Sequence, residues 1–243
     1  MAETNHDLDI LRYRRAQRVV HAVMASSFLI LLITGLALVW SPLSWIAAGG
    51  WSRYLHRIAA VGFMSVPFLY LWMDRAGARE VLVESFIYDK DDVKWFTQMY
   101  RYALGRTAEM PPQGRLNAGQ KLHHSAVIVF SAVIVLSGLV LWWLKSSLST
   151  SMLSWTAIIH DLAMLALTLL LVGHVFFTFV YKAWSSMATG YVSKEDMEME
   201  HSKWVEELEH EAAEDSLAQS RVSNKDAGVS PQGSPAPPQT KGK

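Results

Sequence analysis

Four histidines lie within or at the ends of long apolar runs, at spacings that could form two pairs of metal ligands. His160 and His174 share one run and are fourteen residues apart, which in a helix is a rise of about 21 Å to within roughly 40° of the same face. His56 begins the second run and His21 begins the first. If consecutive runs cross a membrane in opposite directions, His56 lies at the depth of His160 and His21 at the depth of His174. One imidazole pair in each leaflet is the ligand set that two six-coordinate haems require.

An ionisable side chain within a membrane span is costly, and it is therefore a functional hypothesis by default. A single such histidine is more often packed or hydrogen-bonded than bound to a metal, but four at two matched depths favour metal binding. His123 and His124 begin the third run and remain alternatives to His21 or His174 as axial ligands. Three histidines lie outside the membrane and are predicted to have no specific role: His6, His201 and His210.

Smaller features accompany the histidines, and each has two interpretations. Gly35 lies fourteen residues after His21, where a missing side chain would admit a porphyrin or, equally, allow close helix packing. Four cations near the histidines are either partners of haem propionates or ordinary interfacial charges: Arg18, Arg53, Arg57 and Lys182.

The elements that must position the histidines are membrane spans. Of 243 residues, 51% are hydrophobic, which is a higher share than in an ordinary soluble domain. Each apolar run is long enough to cross about 30 Å of hydrocarbon as a helix. The first run is too long for a cleavable signal peptide and lacks a small-residue cleavage site after it. The predicted spans are residues 19–40, 54–73, 125–144 and 155–181, and the predicted fold is an all-α, integral membrane four-helix bundle.

Basic residues predict the orientation of the spans. Four arginines precede the first span and eight lysines or arginines lie between the second and third, whereas the opposite loops carry only Arg53 and Lys145. The positive-inside rule therefore places both termini and the long middle loop in the cytoplasm. Tryptophans cluster at the outer boundary, as an aromatic belt does. We expect a multi-pass protein of a bacterial cytoplasmic (inner) membrane.

The chain divides into three predicted regions. Residues 1–18 form a cytoplasmic segment, residues 19–192 the transmembrane domain, and residues 193–243 an acidic helix followed by a disordered tail from about residue 224. In the middle loop, residues 93–103 predict an amphipathic surface helix and residues 105–119 a loop.

Composition excludes several functions. The absence of cysteine excludes disulfides, iron–sulfur clusters and c-type haem attachment within this chain, so histidine or methionine must hold any metal. The net charge of zero gives no indication of nucleic-acid binding.

Several short motifs resemble one family. Arg18-Val-Val-His21 enters the first span, Thr34-Gly35-Leu36 lies near its far end, and Leu55-His56 enters the second. The segment Asn117-Ala-Gly-Gln-Lys121 precedes the third span and is the most specific piece. Over roughly residues 10–205 the chain resembles the gamma, or cytochrome b, subunit of membrane-bound formate dehydrogenases.

The resemblance implies roles for particular residues. His56 and His160 would bind an outer haem b, and His21 and His174 an inner one. Menaquinone or ubiquinone would be reduced on the cytoplasmic side, where Asn117 and Gly119 match the family's quinone pocket. Proximity extends that pocket to two neighbours, Gln120 and Lys121.

The Asn117–Lys121 segment is also an ordinary turn and helix cap, and the residues alone favour that interpretation. His123 and His124 depart from the family pattern, since apolar or aromatic residues are expected there, and they could hydrogen-bond near the quinone.

By the same resemblance, the chain itself does no chemistry on formate and has no catalytic residues of its own. An iron–sulfur subunit and a molybdenum or tungsten catalytic subunit would deliver the electrons. A hydrogenase or a thiosulfate or polysulfide reductase would use the same histidines, and a haem-free membrane anchor is the alternative from another class. The quinone type, the haem potentials, the direction of electron flow and the oligomeric state stay open.

Overall fold

The computed structural model describes residues 9–104, 106, 110–180 and 184–226. Helices make up nearly all of this part of the chain. In chain order the elements are β1 (Asp9–Leu11), α1 (Arg15–Val39), a 3₁₀ turn (Ser41–Leu43), α2 (Ser44–Ala47), α3 (Trp51–Met73), α4 (Arg75–Phe86), α5 (Lys90–Ala103), α6 (Ala118–Leu139) continued by a π-helical turn (Val140–Leu144), α7 (Thr150–Val180), α8 (Trp184–Thr189), β2 (Tyr191–Ser193), α9 (Lys194–Glu200) and α10 (Ser202–Asp226).

Four helices within the described residues are long and apolar enough to cross a membrane, namely α1, α3, α6 with its π-helical turn, and α7. Large apolar side chains such as Ile33 and Leu169 are exposed along them, which suits contact with lipid rather than water. The predicted fold class, an all-α integral membrane four-helix bundle, is confirmed.

The helices begin earlier than the apolar runs. α6 starts at Ala118 instead of residue 125, because Asn117 accepts a hydrogen bond from the Gln120 amide and ends the preceding loop. α7 starts at Thr150 instead of residue 155. Hydropathy marks the part of a helix that suits lipid, whereas polar capping residues mark where the helix begins. Residue 181, the last of the fourth predicted span, lies outside the described residues.

The spans pack as two helical hairpins. α1 contacts mainly α3, and α6 contacts mainly α7. In the first hairpin Gly62 faces the buried Ser27, and a Cβ added at Gly62 would lie 2.7 Å from Ser27 Oγ. In the second hairpin the small residues Ser137 and Ala163 are buried, together with the larger Leu167. Small residues permit close backbone approach between membrane helices.

The two ends of the bundle differ. At one end, which we call the loop end, α2 with its 3₁₀ turn joins α1 to α3, and a short turn joins α6 to α7. At the other end, the capped end, α1 and α6 begin, α3 and α7 end, and α4, α5 and α8–α10 follow. β1 and β2 pair antiparallel there, with Asp9 opposite Ser193. Met197, Trp204 and Val205 form a small apolar cluster beside this sheet.

Ion pairs fasten the cap to the spans. Arg14, which immediately precedes α1, binds both Asp74 and Glu80 on the chain that follows α3. Arg115, just before α6, contacts Glu84 of α4 through Nη2 at 2.6 Å and Nε at 3.0 Å. Arg14 and Arg115, two of the basic residues that predicted the orientation, therefore also hold the capped end together.

The sequence predicted part of this cap. α5 corresponds to the predicted amphipathic helix, and α9 with α10 to the acidic helix. α4 and the two-stranded sheet were not predicted, because short elements that pack on a distant segment lack a periodic pattern of their own. The tail from residue 227 lies outside the described residues.

The contact between Gly62 and Ser27 yields a stability prediction. Gly62→Leu should force α1 and α3 apart and lower the free energy of unfolding by about 1–3 kcal/mol, the usual cost of overpacking. Thermal unfolding of the detergent-solubilised protein measures this. Val61→Leu places the same side chain at the neighbouring, exposed position and should leave the melting temperature nearly unchanged. Equal melting temperatures for the two variants would contradict the packing.

Candidate metal centres

His56 and His160 face each other at the loop end. His56 lies in the second turn of α3 and His160 eleven residues into α7. Their ring centroids are 6.5 Å apart and their planes are inclined by 58°. The pair therefore joins the two helical hairpins, which otherwise pack mainly within themselves.

His21 and His174 form the corresponding pair at the capped end. His21 lies in the second turn of α1 and His174 near the end of α7. Their ring centroids are 6.1 Å apart, with an angle of 50° between the planes. α7 thus contributes one histidine to each pair, and the first hairpin contributes the other.

Both separations fit one metal ion between two imidazoles. A metal–nitrogen bond is about 2 Å long for imidazole ligands, so two such bonds in line, plus the path from each nitrogen to its ring centre, give roughly 6 Å. The described residues contain no group of three or more histidines, cysteines or carboxylates that could hold a metal ion. A metal bound by two side chains needs its other ligands from a cofactor, as the four porphyrin nitrogens supply in a six-coordinate haem. The residues present therefore fit haem.

The loop-end pair has a hydroxyl and a glycine beside each ring. Thr34 Oγ1 lies 2.8 Å from His56 Nδ1, and a Cβ added at Gly35 would lie 3.8 Å from His56 Cε1. On the other hairpin, Ser137 Oγ lies 3.0 Å from His160 Nδ1, and a Cβ at Gly138 would lie 3.0 Å from His160 Cε1. Each histidine ring is thus held by the other helix of its hairpin: α1 holds the His56 ring of α3, and α6 holds the His160 ring of α7. In both cases the partner is a hydroxyl–glycine dipeptide.

Ser137 and Gly138 were missed by the sequence analysis. The sequence nevertheless contains an indication of their role. Ser137-Gly138 lies near the loop end of α6, and it repeats the pattern of a hydroxyl residue followed by glycine that Thr34-Gly35 forms near the loop end of α1. Gly35 itself faces His56 and Met164, so it lies beside the loop-end pair, as its spacing from His21 predicted. Arg57, a predicted candidate for a propionate, lies with its guanidinium 5.2 Å from the centre of the Trp142 ring.

His123 is a third histidine at the capped end. Its ring is stacked on His174, with centroids 5.2 Å apart and an angle of 16°. That distance is shorter than the roughly 6 Å that two axial bonds require, whereas the 6.1 Å between His21 and His174 matches it. The geometry therefore favours His21 over His123 as the partner of His174. His124 Nδ1 is buried and has no hydrogen-bond partner in the described part of the chain.

The segment predicted to bind quinone begins α6 and forms a helix cap. Asn117 Oδ1 accepts from the Gln120 amide at 2.9 Å, and Gln120 Oε1 accepts from the Asn117 amide at 3.1 Å. Gln113 Oε1 also accepts from the Ala118 amide. The helix-cap interpretation is thus confirmed. It leaves the Asn117 side-chain NH₂ group as a donor, six residues before His123.

The other two residues of this segment contact α5. A Cβ at Gly119 would lie 2.8 Å from the Trp95 ring, so only glycine fits there without displacing the tryptophan. Lys121 Nζ lies 2.7 Å from Asp92, a carboxylate that is almost fully buried. Removing one partner of such a pair is strongly destabilising, so Lys121 has a structural role in holding α5 against α6.

His201 is fully buried, and the prediction that it has no specific role is wrong. Its Nδ1 lies 2.7 Å from the carbonyl oxygen of Gly114 and donates to it, which ties the start of α10 to the loop before α6. Burial, reinforced by the nearby charge of Arg12, lowers the pKa of His201 to about 4. Sequence reasoning could not find this contact, because it joins residues 87 positions apart. His6 lies outside the described residues, and His210 is exposed, 3.7 Å from Glu214.

Comparison with known proteins identifies the family. Residues 12–190, most of the chain and all four spans, match the family described as prokaryotic cytochrome b561. The fold and the paired histidines agree with a membrane cytochrome of b type. The chain therefore belongs to the prokaryotic cytochrome b561 family, and the cofactor of such a cytochrome is haem b.

Three curated relatives illustrate the similarity. The Escherichia coli (strain K12) protein named formate dehydrogenase, cytochrome b556(fdo) subunit, is 22% identical over 209 residues, covering 82% of this chain and 93% of the relative. The nitrate-inducible cytochrome b556(Fdn) subunit of the same strain is 21% identical over 208 residues, with 82% and 92% covered. The formate dehydrogenase cytochrome b556 subunit of Haemophilus influenzae is 21% identical over 212 residues, with 84% and 86% covered.

The two glycines beside the loop-end pair allow a matched test. Gly138→Ala should displace the His160 ring, because the new Cβ would lie 3.0 Å from it, and should reduce the haem bound per chain. Gly35→Ala should reduce it less, since its nearest contacts, with Met164 and His56, are ordinary at 3.5 and 3.8 Å. Pyridine haemochrome analysis of the purified variants measures the difference. A larger loss in Gly35→Ala would contradict this reasoning.

The burial of His201 predicts a pH-dependent cap. When α9 and α10 are docked on the bundle, His201 has a pKa of about 4; when they are detached, its pKa is near 6.5. Between these two pH values the detached form therefore binds more protons than the docked form. The free energy that holds α9 and α10 in place is therefore at its full value above pH 6.5. It should decrease by up to about 3 kcal/mol as the pH falls towards 4. Hydrogen exchange of the α9–α10 amides, corrected for intrinsic rates, measures this.

His201→Gln is the control for the pH dependence, because glutamine can donate a hydrogen bond but does not titrate. The neighbouring ion pair of Asp89 with Lys203 contributes little above pH 4, since Lys203 lowers the pKa of Asp89 from its ordinary 3.8 to about 2 and the stability of that pair is lost between these two values. The same pH dependence in His201→Gln as in the native protein would assign the effect to another group.

Proposed function

We propose that this chain is the membrane-anchoring dihaem cytochrome b subunit of a formate dehydrogenase, passing electrons from an iron–sulfur subunit to quinone. The observation that carries the proposal is the presence of two histidine pairs, with ring centroids 6.5 and 6.1 Å apart, at opposite ends of one bundle. The relatives with formate dehydrogenase names support it, since the similarity runs through most of this chain and most of theirs.

The proposed ligands are His56 with His160 for one haem b, and His21 with His174 for the other. A bis-imidazole haem supplies one-electron transfer, and the protein sets its position and potential. Because both sites share α7, the fourteen residues between His160 and His174 hold them about 21 Å apart along one rigid helix. An electron passing from one site to the other would therefore cross most of the hydrocarbon layer.

In the proposed orientation the capped end and both termini are cytoplasmic, in a bacterial inner membrane. The domain is residues 19–192, with residues 1–18 before it and 193–243 after it. Basic residues at the capped end support this orientation. Electrons would enter at the loop end and leave at the capped end, and each charge moved across the membrane is worth about 2.3 kcal/mol per 100 mV.

Quinone, either menaquinone or ubiquinone, would be reduced at the capped end beside His174. In this proposal the side-chain NH₂ of Asn117 donates to a quinone carbonyl, and Gly119 and Gln120 shape the turn that presents it. Lys121 contributes through Asp92, by fixing α5 against the start of α6. Protons for the quinol would come from the cytoplasm.

The proposed partners are an iron–sulfur subunit and a molybdenum or tungsten catalytic subunit. The histidine pairs by themselves suit a cytochrome b subunit of a hydrogenase or of a thiosulfate or polysulfide reductase equally well. Affinity purification of the native complex with a tag on this chain separates these cases, because only the formate dehydrogenase complex would reduce quinone with formate.

Histidine replacement tests the haem assignment. The native protein should show two b haems per chain in a dithionite-reduced minus oxidised spectrum with haemochrome quantification. His160→Ala and His174→Ala should each lose haem, because each removes one axial ligand from a different pair. His210→Ala, at an exposed position of α10, should retain both haems. A native protein without haem would leave a passive membrane anchor as the better explanation.

A further inference from the structure

The hydroxyls of Thr34 and Ser137 each lie between a histidine ring and a carbonyl of their own helix. Thr34 Oγ1 lies 2.7 Å from the Ile30 carbonyl and 2.8 Å from His56 Nδ1. Ser137 Oγ lies 2.7 Å from the Val133 carbonyl and 3.0 Å from His160 Nδ1. Both hydroxyls are buried. Two unrelated helices thus present the same arrangement to the two rings of one pair.

The direction of these hydrogen bonds follows from the number of protons. A hydroxyl has one proton, and a carbonyl oxygen can only accept, so the short contact four residues back uses that proton. The hydroxyl oxygen is then left as an acceptor for the ring. Nδ1 of His56 and Nδ1 of His160 must therefore carry the proton, which leaves Nε2 of each ring unprotonated and able to bind a metal.

We propose that Thr34 and Ser137 are positioning residues of the loop-end haem, which fix both axial histidines as Nδ1–H tautomers and lower the midpoint potential of that haem. This inference rests on the proposed function, since it requires a haem between His56 and His160. Metal-bound histidines ordinarily donate their other N–H to a neighbouring acceptor, which orients the ring and makes the ligand more basic. A more basic ligand stabilises the oxidised iron.

The capped-end pair lacks this arrangement. Among the residues that the structure describes, His21 and His174 have no hydrogen-bonded ring nitrogen, and His174 instead stacks on His123. The hydrogen bonds from Thr34 and Ser137 would therefore make the loop-end haem the one with the lower potential. Electron transfer from the loop end to the capped end would then be energetically favourable.

A redox titration of the purified holoprotein tests the inference. Thr34→Val keeps the shape of the side chain and removes the acceptor, and Ser137→Ala does the same for the other ring. In each variant we expect the same one of the two midpoint potentials, the lower one, to shift upwards while the other stays in place. Thr34→Ser and Ser137→Thr retain a hydroxyl and should restore the native value.

Thr168→Val is the matched control. Thr168 also donates to a carbonyl of its own helix, that of Met164 at 2.7 Å, but none of the described histidine rings contacts it. Its replacement should leave both potentials unchanged. If Thr34→Val and Ser137→Ala still bind two haems but leave both potentials unchanged, the inference is overturned while the proposed function stands. The same conclusion follows if Thr168→Val shifts a potential by the same amount as these variants. A native protein with fewer than two haems would overturn the proposed function on which the inference rests.

Discussion

Two pairs of histidines face each other across the two hairpins, and the rest of the structure depends on this constraint. α1 with α3, and α6 with α7, could each pack as a hairpin of small and apolar residues without fixing the angle or height of one hairpin against the other. The pairs His56–His160 and His21–His174 set both at once, because each connects α7 to the first hairpin. A cofactor bound between the rings would therefore also fasten the bundle.

Two of the polar residues inside the spans, Thr34 and Ser137, serve the loop-end pair. An unpaired hydroxyl is costly in a membrane, and Thr34 and Ser137 satisfy their protons on carbonyls of their own helices. The same contact leaves an oxygen lone pair for a histidine. Helix packing, hydrogen-bond satisfaction and ligand orientation are thus met by one side chain on each helix. At the capped end, ion pairs such as Lys121–Asp92 fix the start of α6 and so the height of His123 beside His174.

Hydropathy and histidine spacing were sufficient to predict the four spans and the two facing histidine pairs. Both follow from local rules, the length of an apolar run and the 3.6-residue repeat of a helix. The stacking of His123 on His174 and the burial of His201 were not predictable, because they depend on the tilt of helices and on long-range docking. For Asn117 and Gln120, local chemistry alone predicted the observed helix cap. The resemblance added the quinone hypothesis, which stays a prediction.

Locating the metal directly tests the central claim most sharply. Anomalous diffraction at the iron edge from crystals of the holoprotein should give two iron peaks per chain. One should lie between the rings of His56 and His160, the other between those of His21 and His174, about 21 Å apart along α7. A single peak, no peak, or an iron bound by His123 instead of His21 would contradict the account.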